Sequence, residues 1–547
     1  MQIIDPQYTD FDQIRTEFKW KIPHRFNMAW AVCDRHQMLA TRPALYFESL
    51  GGVLETYTFG DLRSFSNRLA NGLRSIGINK GDRVGIVLPQ RIETGISHIG
   101  IHKIGAVSLP LSMLFGPEAI EYRLRDSGAK AVITLGRQVE MIRQLKDGLP
   151  ALETIICCDE DDGDRSFWAL LDRASDSFEM EQTLAHDPAL LIYTSGTTGP
   201  PKGALIAHRA LIGNLPGFEL SQNFYPEPGD IFWTPADWAW TGGLLDGLLA
   251  TWVYGRPIVA FEVGKFDPEK ACDVMGRHQV TNAFIPPTAL KMIRQIPDVG
   301  RFGLKLRAIM SAGETMGAEL YDWGRDVLGV KINEMWGQTE FNYLVGNCST
   351  ILAVKPGSMG KPYPGHEVDA IDAQGNPVPR GEHGELAART GDPVMFLGYW
   401  NNTVATREKV SNGWFRTGDI GYQDDDGYLW YVGRKDDVIS SAGHRVGPGE
   451  IEDSLLRHPA VAQAAVIGSP DELRGSIIKA FIVLAHGHTP SDDLKKEIQI
   501  SVKNRLAAHE YPRAVEFINE MPITTTGKVR RLELRKRDSG TRRTQKS

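Results

Sequence analysis

The chain has 547 residues, 42% hydrophobic and 24% charged, with a formal net charge of -7. This is the balance of a soluble globular protein whose core needs no metal or disulfide staples, and length alone suggests about three to four domain-sized units. An acidic balance argues against general nucleic-acid binding, which needs a basic footprint. The five cysteines (Cys33, Cys157, Cys158, Cys272, Cys348) form no C-x-x-C pair and are too few for a disulfide framework, which fits a reducing, cytoplasmic compartment.

The opening MQIIDPQYTDFDQIRTEFKW is polar and acidic, unlike a secretory signal or an Arg-rich transit peptide. Residues 83–88 then read as a buried strand, 93–103 as an amphipathic helix, 106–109 as a strand, 116–126 as a helix and 131–134 as a strand. Strand-like runs recur at 189–193, 282–285 and 306–310. Strands alternating with helices imply βαβ units and mostly parallel sheet. The most apolar stretch, 242–261, carries Asp246, Arg256 and Pro257, so no membrane span is expected there. After about residue 380, glycines, aspartates and aromatics cluster in GWFRTGDIGYQDDDGYLWYVGRKDD, a composition of hairpins and turns. Beyond Asp436, strand-like runs at 464–467, 477–483 and 515–518 and a helix pattern at 492–506 describe a small α+β domain. The last 20 residues from Lys528 hold nine Lys/Arg and two acidic residues, and read as a solvated, frayed end.

The most informative segment follows the 189–193 strand: Thr194-Ser195-Gly196-Thr197-Thr198-Gly199-Pro200-Pro201-Lys202-Gly203, with 204–215 reading as a helix. Glycines let backbone N–H groups approach an anion closely, hydroxyls donate to phosphate oxygens, Lys202 adds a charge, and a helix N-terminus would face the same place. It is not a Walker A loop, because two prolines separate Gly199 from Lys202 and a glycine follows the lysine. A Gly-rich turn without a ligand is the plain alternative.

The run TSGTTGPPKG resembles the phosphate-binding loop of the acyl-adenylate-forming enzymes, which include acyl-CoA synthetases. SAGE at 311–314, NEMWGQTE at 333–340, the 413–437 segment, HRVGPGEIE at 444–452 and PITTTGKVRR at 522–531 agree in order and spacing, so the resemblance covers about residues 30 to 535. The wording is most similar to the medium-chain and acetyl-CoA synthetase branch.

The resemblance implies an α/β fold: a large N-terminal domain (1–435) of mostly parallel sheets flanked by helices, with a β-rich part at about 345–435, and a small mobile α+β C-terminal domain (436–547). It implies a two-step reaction in which a carboxylate and ATP give an acyl-adenylate and pyrophosphate, and coenzyme A then takes the acyl group. Thr194, Ser195, Gly196, Thr197, Thr198, Gly199 and Lys202 would hold the β- and γ-phosphates. Thr339 would contact the α-phosphate and Glu340 would hold Mg²⁺, which is satisfied by one or two carboxylates plus phosphate oxygens. Gly313, Glu314, Thr315, Asn333, Glu334, Met335 and Trp336 resemble the segments around the adenine. Thr315 stands where proline is common, and Phe341-Asn342 where Thr-Gly is frequent. Asp419 would bind the ribose hydroxyls, for which a carboxylate is a good bidentate acceptor. Arg434 would lie on the ribose and phosphate side, Asp436 would be the hinge, and Lys528 would bridge the attacking carboxylate and the α-phosphate. Gly443 would leave room for the pantetheine arm of coenzyme A, and Arg445 would sit near phosphate.

Acetate- and propionate-specific relatives carry tryptophan where this chain has Gly337, so an acid longer than propionate (medium-chain, branched or aromatic) is expected. The 237–243 segment with Trp240 would border the acyl pocket, although Trp238 and Trp240 suit core packing equally well. The implied partners are the small-molecule acid, ATP and coenzyme A, with no nucleic acid and no membrane span, and nothing opposes a homo-oligomer. Transfer to a carrier protein is the alternative to coenzyme A.

Overall fold

The structure, a computed structural model, describes residues 2–49, 51–159, 163–194, 200–262, 264, 266–314, 316–435, 437, 439–441, 444–471, 475–506, 511–524 and 528–545. It divides into two compact units, residues 1–367 with 388–410, and residues 368–387 with 411–547. Length suggested three or four units, but the first unit combines two large sheets. The stretch 345–435, expected to be β-rich, is shared between the units.

One sheet of the first unit has eight strands, in the order Gly398–Tyr399, Lys202–Ala207, Pro188–Thr194, Val107–Pro110, Arg83–Val87, Ala131–Thr134, Thr154–Cys157 and Arg165–Ser166. Pairing is parallel from Pro188–Thr194 onward and antiparallel at the Lys202–Ala207 edge. The other has nine strands, with a parallel centre built from Asn282–Phe284, Ala308–Ala312 and Ile332–Gln338 among others. The expected βαβ alternation is therefore present. The helix between the first two strands, Ile92–Lys103, is buried on every side rather than amphipathic. Pro117–Ser127 starts with proline and stops at Gly128 in the left-handed region (φ 59°), a pre-set start and a stop that needs no Cβ.

The sequence predicts a helix over 204–215 after the glycine-rich segment, but Lys202–Ala207 is a strand antiparallel to Pro188–Thr194, and the helix is Ala210–Ser221. A short apolar run is ambiguous between helix and strand until its neighbours are known. Here both faces of Gly203–Ala207 are largely covered by the sheet and its packing, which favours the strand. The Ala210–Ser221 helix is buried throughout, and Glu219 on it accepts the N–H groups of Ile3 (2.6 Å) and Ile4 (2.7 Å) and the hydroxyl of Tyr254 (2.7 Å).

The apolar 242–261 stretch forms short helical pieces, including a π-helical turn at Leu244–Leu249, and the buried strand Ile258–Phe261. Among the described residues no helix is long and apolar enough to cross a membrane.

The second unit contains most of a five-stranded sheet that includes Val368–Ile371, Trp414–Gln423 and Leu429–Arg434. It also holds a three-stranded sheet of Val461–Asp471, Gly475–Leu484 and Ala514–Phe517 with helices Pro448–Leu456, Asp492–Arg505 and Arg531–Gln545. The α+β pattern read beyond Asp436 matches this. The basic end does not read as expected. Leu534 is buried with Ile467, Phe481 and Ile518, and Asp538 receives Ser469 (2.6 Å) and Lys479 (2.9 Å), so the segment from Arg531 is a docked helix. Its arginines find carboxylates elsewhere in the unit, as Arg537 does at Glu516 (2.7 Å).

Candidate active site

The strands Pro188–Thr194 and Lys202–Ala207 bring Thr194 opposite Lys202, so the connection between them starts and returns at one point of the sheet. Ser195, Gly196, Thr197, Thr198 and Gly199 lie outside the described residues. At the flanks, Thr194 Oγ1 donates to the Lys202 carbonyl (3.4 Å). Gly203 is explained by packing: a Cβ there would lie 2.9 Å from Leu191 and 3.1 Å from Tyr193. No helix starts directly after this connection, so the expected help from a helix N-terminus is absent.

The next strand of the sheet, Gly398–Tyr399, pairs with Leu205 and Ala204. It places Tyr399 where its ring lies 5.4 Å from the Lys202 ammonium and its hydroxyl donates to Glu340 Oε1 at 2.5 Å. The Phe396 N–H also donates to the Glu340 carbonyl (3.0 Å). Lys202 and Glu340, 138 positions apart in sequence, therefore share one aromatic neighbour. Tyr399 was not among the expected residues, and no local pattern around it points to Glu340.

Thr339 and Glu340 form the turn between Ile332–Gln338 and Phe341–Gly346. The parallel register of Met310 with Asn333, Ser311 with Glu334 and Ala312 with Met335 makes the SAGE and NEMW segments leave the sheet at the same end. That end, beyond the carboxyl ends of parallel strands, is where ligands bind in open α/β sheets. Gly313 takes φ +95°, and Glu314 lies 2.8 and 2.7 Å from Thr288 Oγ1. Thr315 is outside the described residues. Asn333 is fully buried, donating to the Ser221 carbonyl (2.8 Å) and to Asn223 (3.0 Å) and accepting from the Ser349 N–H (2.8 Å). Glu334 accepts the Met316 N–H (3.4 Å), Met335 is buried and Trp336 half-exposed.

Gly337 sits at the irregularity of this hairpin. A Cβ on it would lie 2.8 Å from the Tyr343 nitrogen and 3.0 Å from the Phe341 oxygen, so the returning strand itself requires glycine. The two tryptophans separate: Trp238 is core, whereas Trp240 is half-exposed and packs edge-on to Phe115 at 5.8 Å. Just beyond, Asp246 in the π-helical turn is buried and accepts the Asn342 amide; burial pushes its carboxyl well above the ordinary range.

In the second unit, Asp419 and Arg434 face each other across Trp414–Gln423 and Leu429–Arg434, with Arg434 Nη1 donating to Asp419 Oδ1 at 2.9 Å. Asp436 and Gly443 lie outside the described residues, as does the side chain of Arg445, whose backbone pairs with Ser440. Lys528 is exposed on a closed loop. The Thr524 N–H donates to the Lys528 carbonyl (2.7 Å), the Lys528 N–H to Thr524 Oγ1 (3.0 Å), and Ile523 bridges to Val529.

Half-buried Glu340 is an acid of the kind Mg²⁺ takes singly alongside phosphate oxygens, so the residues present fit that ion.

The family model described as AMP-binding enzyme matches residues 34–400, and the one described as AMP-binding enzyme C-terminal domain matches residues 450–528. The acetyl-coenzyme A synthetase of Bacillus subtilis (strain 168) is 38% identical over 522 residues, covering 93% of this chain and 90% of that protein. The mitochondrial acyl-coenzyme A synthetase ACSM4 of Rattus norvegicus is 34% identical over 548 residues, covering 97% and 93%. Among solved structures, the anthranilate CoA ligase AuaEII in complex with anthranoyl-AMP is similar with a TM-score of 0.87 and 30% identity, over 95% of this chain and 98% of that one. The Brucella canis acyl-CoA synthetase is similar with a TM-score of 0.75 and 33% identity, over 98% and 100%.

Proposed function

We propose the following reaction for this chain, which belongs to the AMP-binding enzyme family and is an AMP-forming acid–thiol ligase. A carboxylate oxygen attacks the α-phosphorus of ATP, the bond to the oxygen bridging the β-phosphate breaks, and pyrophosphate leaves with that electron pair. The sulfur of coenzyme A then attacks the acyl carbonyl, AMP leaves, and the thiol proton passes to solvent. Both reactants of the first step are anions, so the site must neutralise charge and align the attack.

The observation that supports this reading best is the Lys202–Tyr399–Glu340 cluster at the base of the 195–199 connection. In this reading Thr194, Ser195, Gly196, Thr197, Thr198, Gly199 and Lys202 bind the β- and γ-phosphates, and Thr339 orients the α-phosphate. Glu340, held by the Tyr399 hydroxyl, carries Mg²⁺. When bound, the ion offsets the charge of the phosphate oxygens. Gly313, Glu314 and Thr315 with Met335 and Trp336 border the adenine, while Asn333 and Glu334 hold the strand that presents them. Asp419, kept in place by Arg434, accepts the ribose hydroxyls. Lys528 supplies a flexible ammonium between the attacking carboxylate and the α-phosphate. Rotation about Asp436 then brings Gly443 and Arg445 to the coenzyme A arm.

The acid is longer than propionate, of the medium-chain, branched or aromatic class, with Trp240 at the border of its pocket. The protein works in the cytoplasm on small molecules alone. The test is coenzyme A-dependent pyrophosphate release across straight, branched and aromatic acids. Acid-dependent release with matching consumption of coenzyme A is expected. Release without coenzyme A consumption would point to a carrier protein as acceptor, and no acid-dependent release would remove the reaction altogether.

A further inference from the structure

The first residue of the C-terminal helix, Arg531, points inward. Its Nη2 donates to both oxygens of Glu452 at 2.6 and 2.7 Å, and its Nη1 lies 3.6 Å from Asp437 Oδ2. One turn on, Arg535 reaches Asp437 Oδ1 at 2.5 Å. The Arg531, Glu452 and Asp437 side chains are 20%, 15% and 12% exposed. Glu452 belongs to the Pro448–Leu456 helix and also accepts the N–H of Val466 on the edge strand Val461–Asp471 (2.8 Å). Two cations and two anions thus close a compact network at one end of the helix.

That end is the one joined to Lys528. The loop carrying the lysine is sealed by Thr524 and Ile523, and the Arg530 N–H donates to the Pro522 carbonyl (2.8 Å) directly before Arg531. Asp437 directly follows the position read as the hinge. Docking alone does not require the network, because Leu534 and Asp538 already attach the helix further along. A planar guanidinium that meets two carboxylates with two of its nitrogens, Glu452 through Nη2 and Asp437 through Nη1, adds what apolar packing lacks, a fixed orientation.

We propose that Arg531 is a positioning residue for the adenylation step: through Glu452 and Asp437 it sets the direction in which the 522–530 loop presents Lys528. This rests on the role given to Lys528 above. Arg531 itself touches no reacting atom.

The two half-reactions, measured separately on the full-length enzyme, test this. Arg531→Leu, which keeps much of the volume, is expected to lower the kcat of acid-dependent pyrophosphate release about 100-fold, the scale of a small misplacement. The KM for ATP should stay the same, and thioester formation from supplied acyl-AMP and coenzyme A should persist. Arg531→Lys, which keeps charge but not the fork, should fall between this variant and the unaltered enzyme. If Arg531→Leu does not fold, Arg531→Lys and Glu452→Gln carry the same comparison. Equal loss of both half-reactions in a folded variant, or no selective loss in any of them, overturns the inference and leaves the reaction standing. An unaltered enzyme that releases no pyrophosphate overturns the reaction, and the inference with it.

Discussion

The hydroxyl of Tyr399 donates to Glu340 Oε1 at 2.5 Å while its ring lies 5.4 Å from the Lys202 ammonium, so one side chain orients an anion and faces a cation. Tyr399→Phe removes the first contact and keeps the second. A hydrogen bond to a charged group contributes about 1.5–3 kcal/mol. The variant should therefore need more Mg²⁺ for half-maximal pyrophosphate release. A Mg²⁺ titration identical to that of the unaltered enzyme would separate Tyr399 from the role of Glu340.

Lys528→Ala should abolish acid-dependent pyrophosphate release yet leave thioester formation from supplied acyl-AMP largely intact. The loop holding it is closed by backbone contacts and the Thr524 hydroxyl, none of which needs the ammonium. Similar loss in both half-reactions would contradict the assigned role.

At Gly337 the close approach of 2.8 Å to the Tyr343 nitrogen makes even a methyl group costly. Gly337→Ala should lower stability by about 1–3 kcal/mol, the usual cost of overpacking. Chemical denaturation reads this directly. An unchanged midpoint would mean that the hairpin yields easily, and a Gly337→Trp variant could then be used to ask whether the preference moves toward acetate.

Much of the candidate site lies in contiguous runs, which is why the sequence alone is enough to propose it. The 194–203 segment, the Q-T-E turn and the T-T-G-K loop each gather their candidate residues within ten positions. What was not legible depends on partners distant in sequence. Ala204–Ala207 suits a helix until Pro188–Thr194 is beside it. Arg531, Arg535 and Arg537 count as a solvated basic run until Glu452, Asp437 and Glu516 are found against them. Tyr399 meets Glu340 across 59 positions. Composition counts charges and rings; it does not pair them.

Asp246 should tolerate a neutral near-copy better than an apolar one. Its burial disfavours the anion, and the Asn342 amide needs an acceptor. Asp246→Asn is expected to be nearly neutral, whereas Asp246→Leu leaves that amide unmatched at a cost of about 1–3 kcal/mol. Equal stability of the two variants in urea titrations would show that the contact contributes nothing.

Three histidines form a buried row, with His98 and His102 rings 6.1 Å apart and His102 and His208 rings 5.5 Å apart. Desolvation holds His102 at about 4 and the other two well below the ordinary 6.5. A base depressed in the folded state favours folding above its unfolded value, and that contribution drains away as pH falls below 6.5. Each ring then removes up to about 1.4 kcal/mol per pH unit. Thermal midpoints should drop between about pH 7 and about pH 5, and His98→Leu should blunt the drop. A midpoint flat across that range would count against neutral burial of the row.

The grip of Glu219 on Ile3 and Ile4 has a consequence for how the chain is made. Those two residues leave the ribosome more than 200 positions ahead of the carboxylate that receives them. At about 5–20 residues per second they wait at least ten seconds, so the first unit cannot close in step with synthesis. Its opening segment is a late arrival in folding although it is early in translation, and a nascent chain halted before residue 219 should leave that segment open to protease.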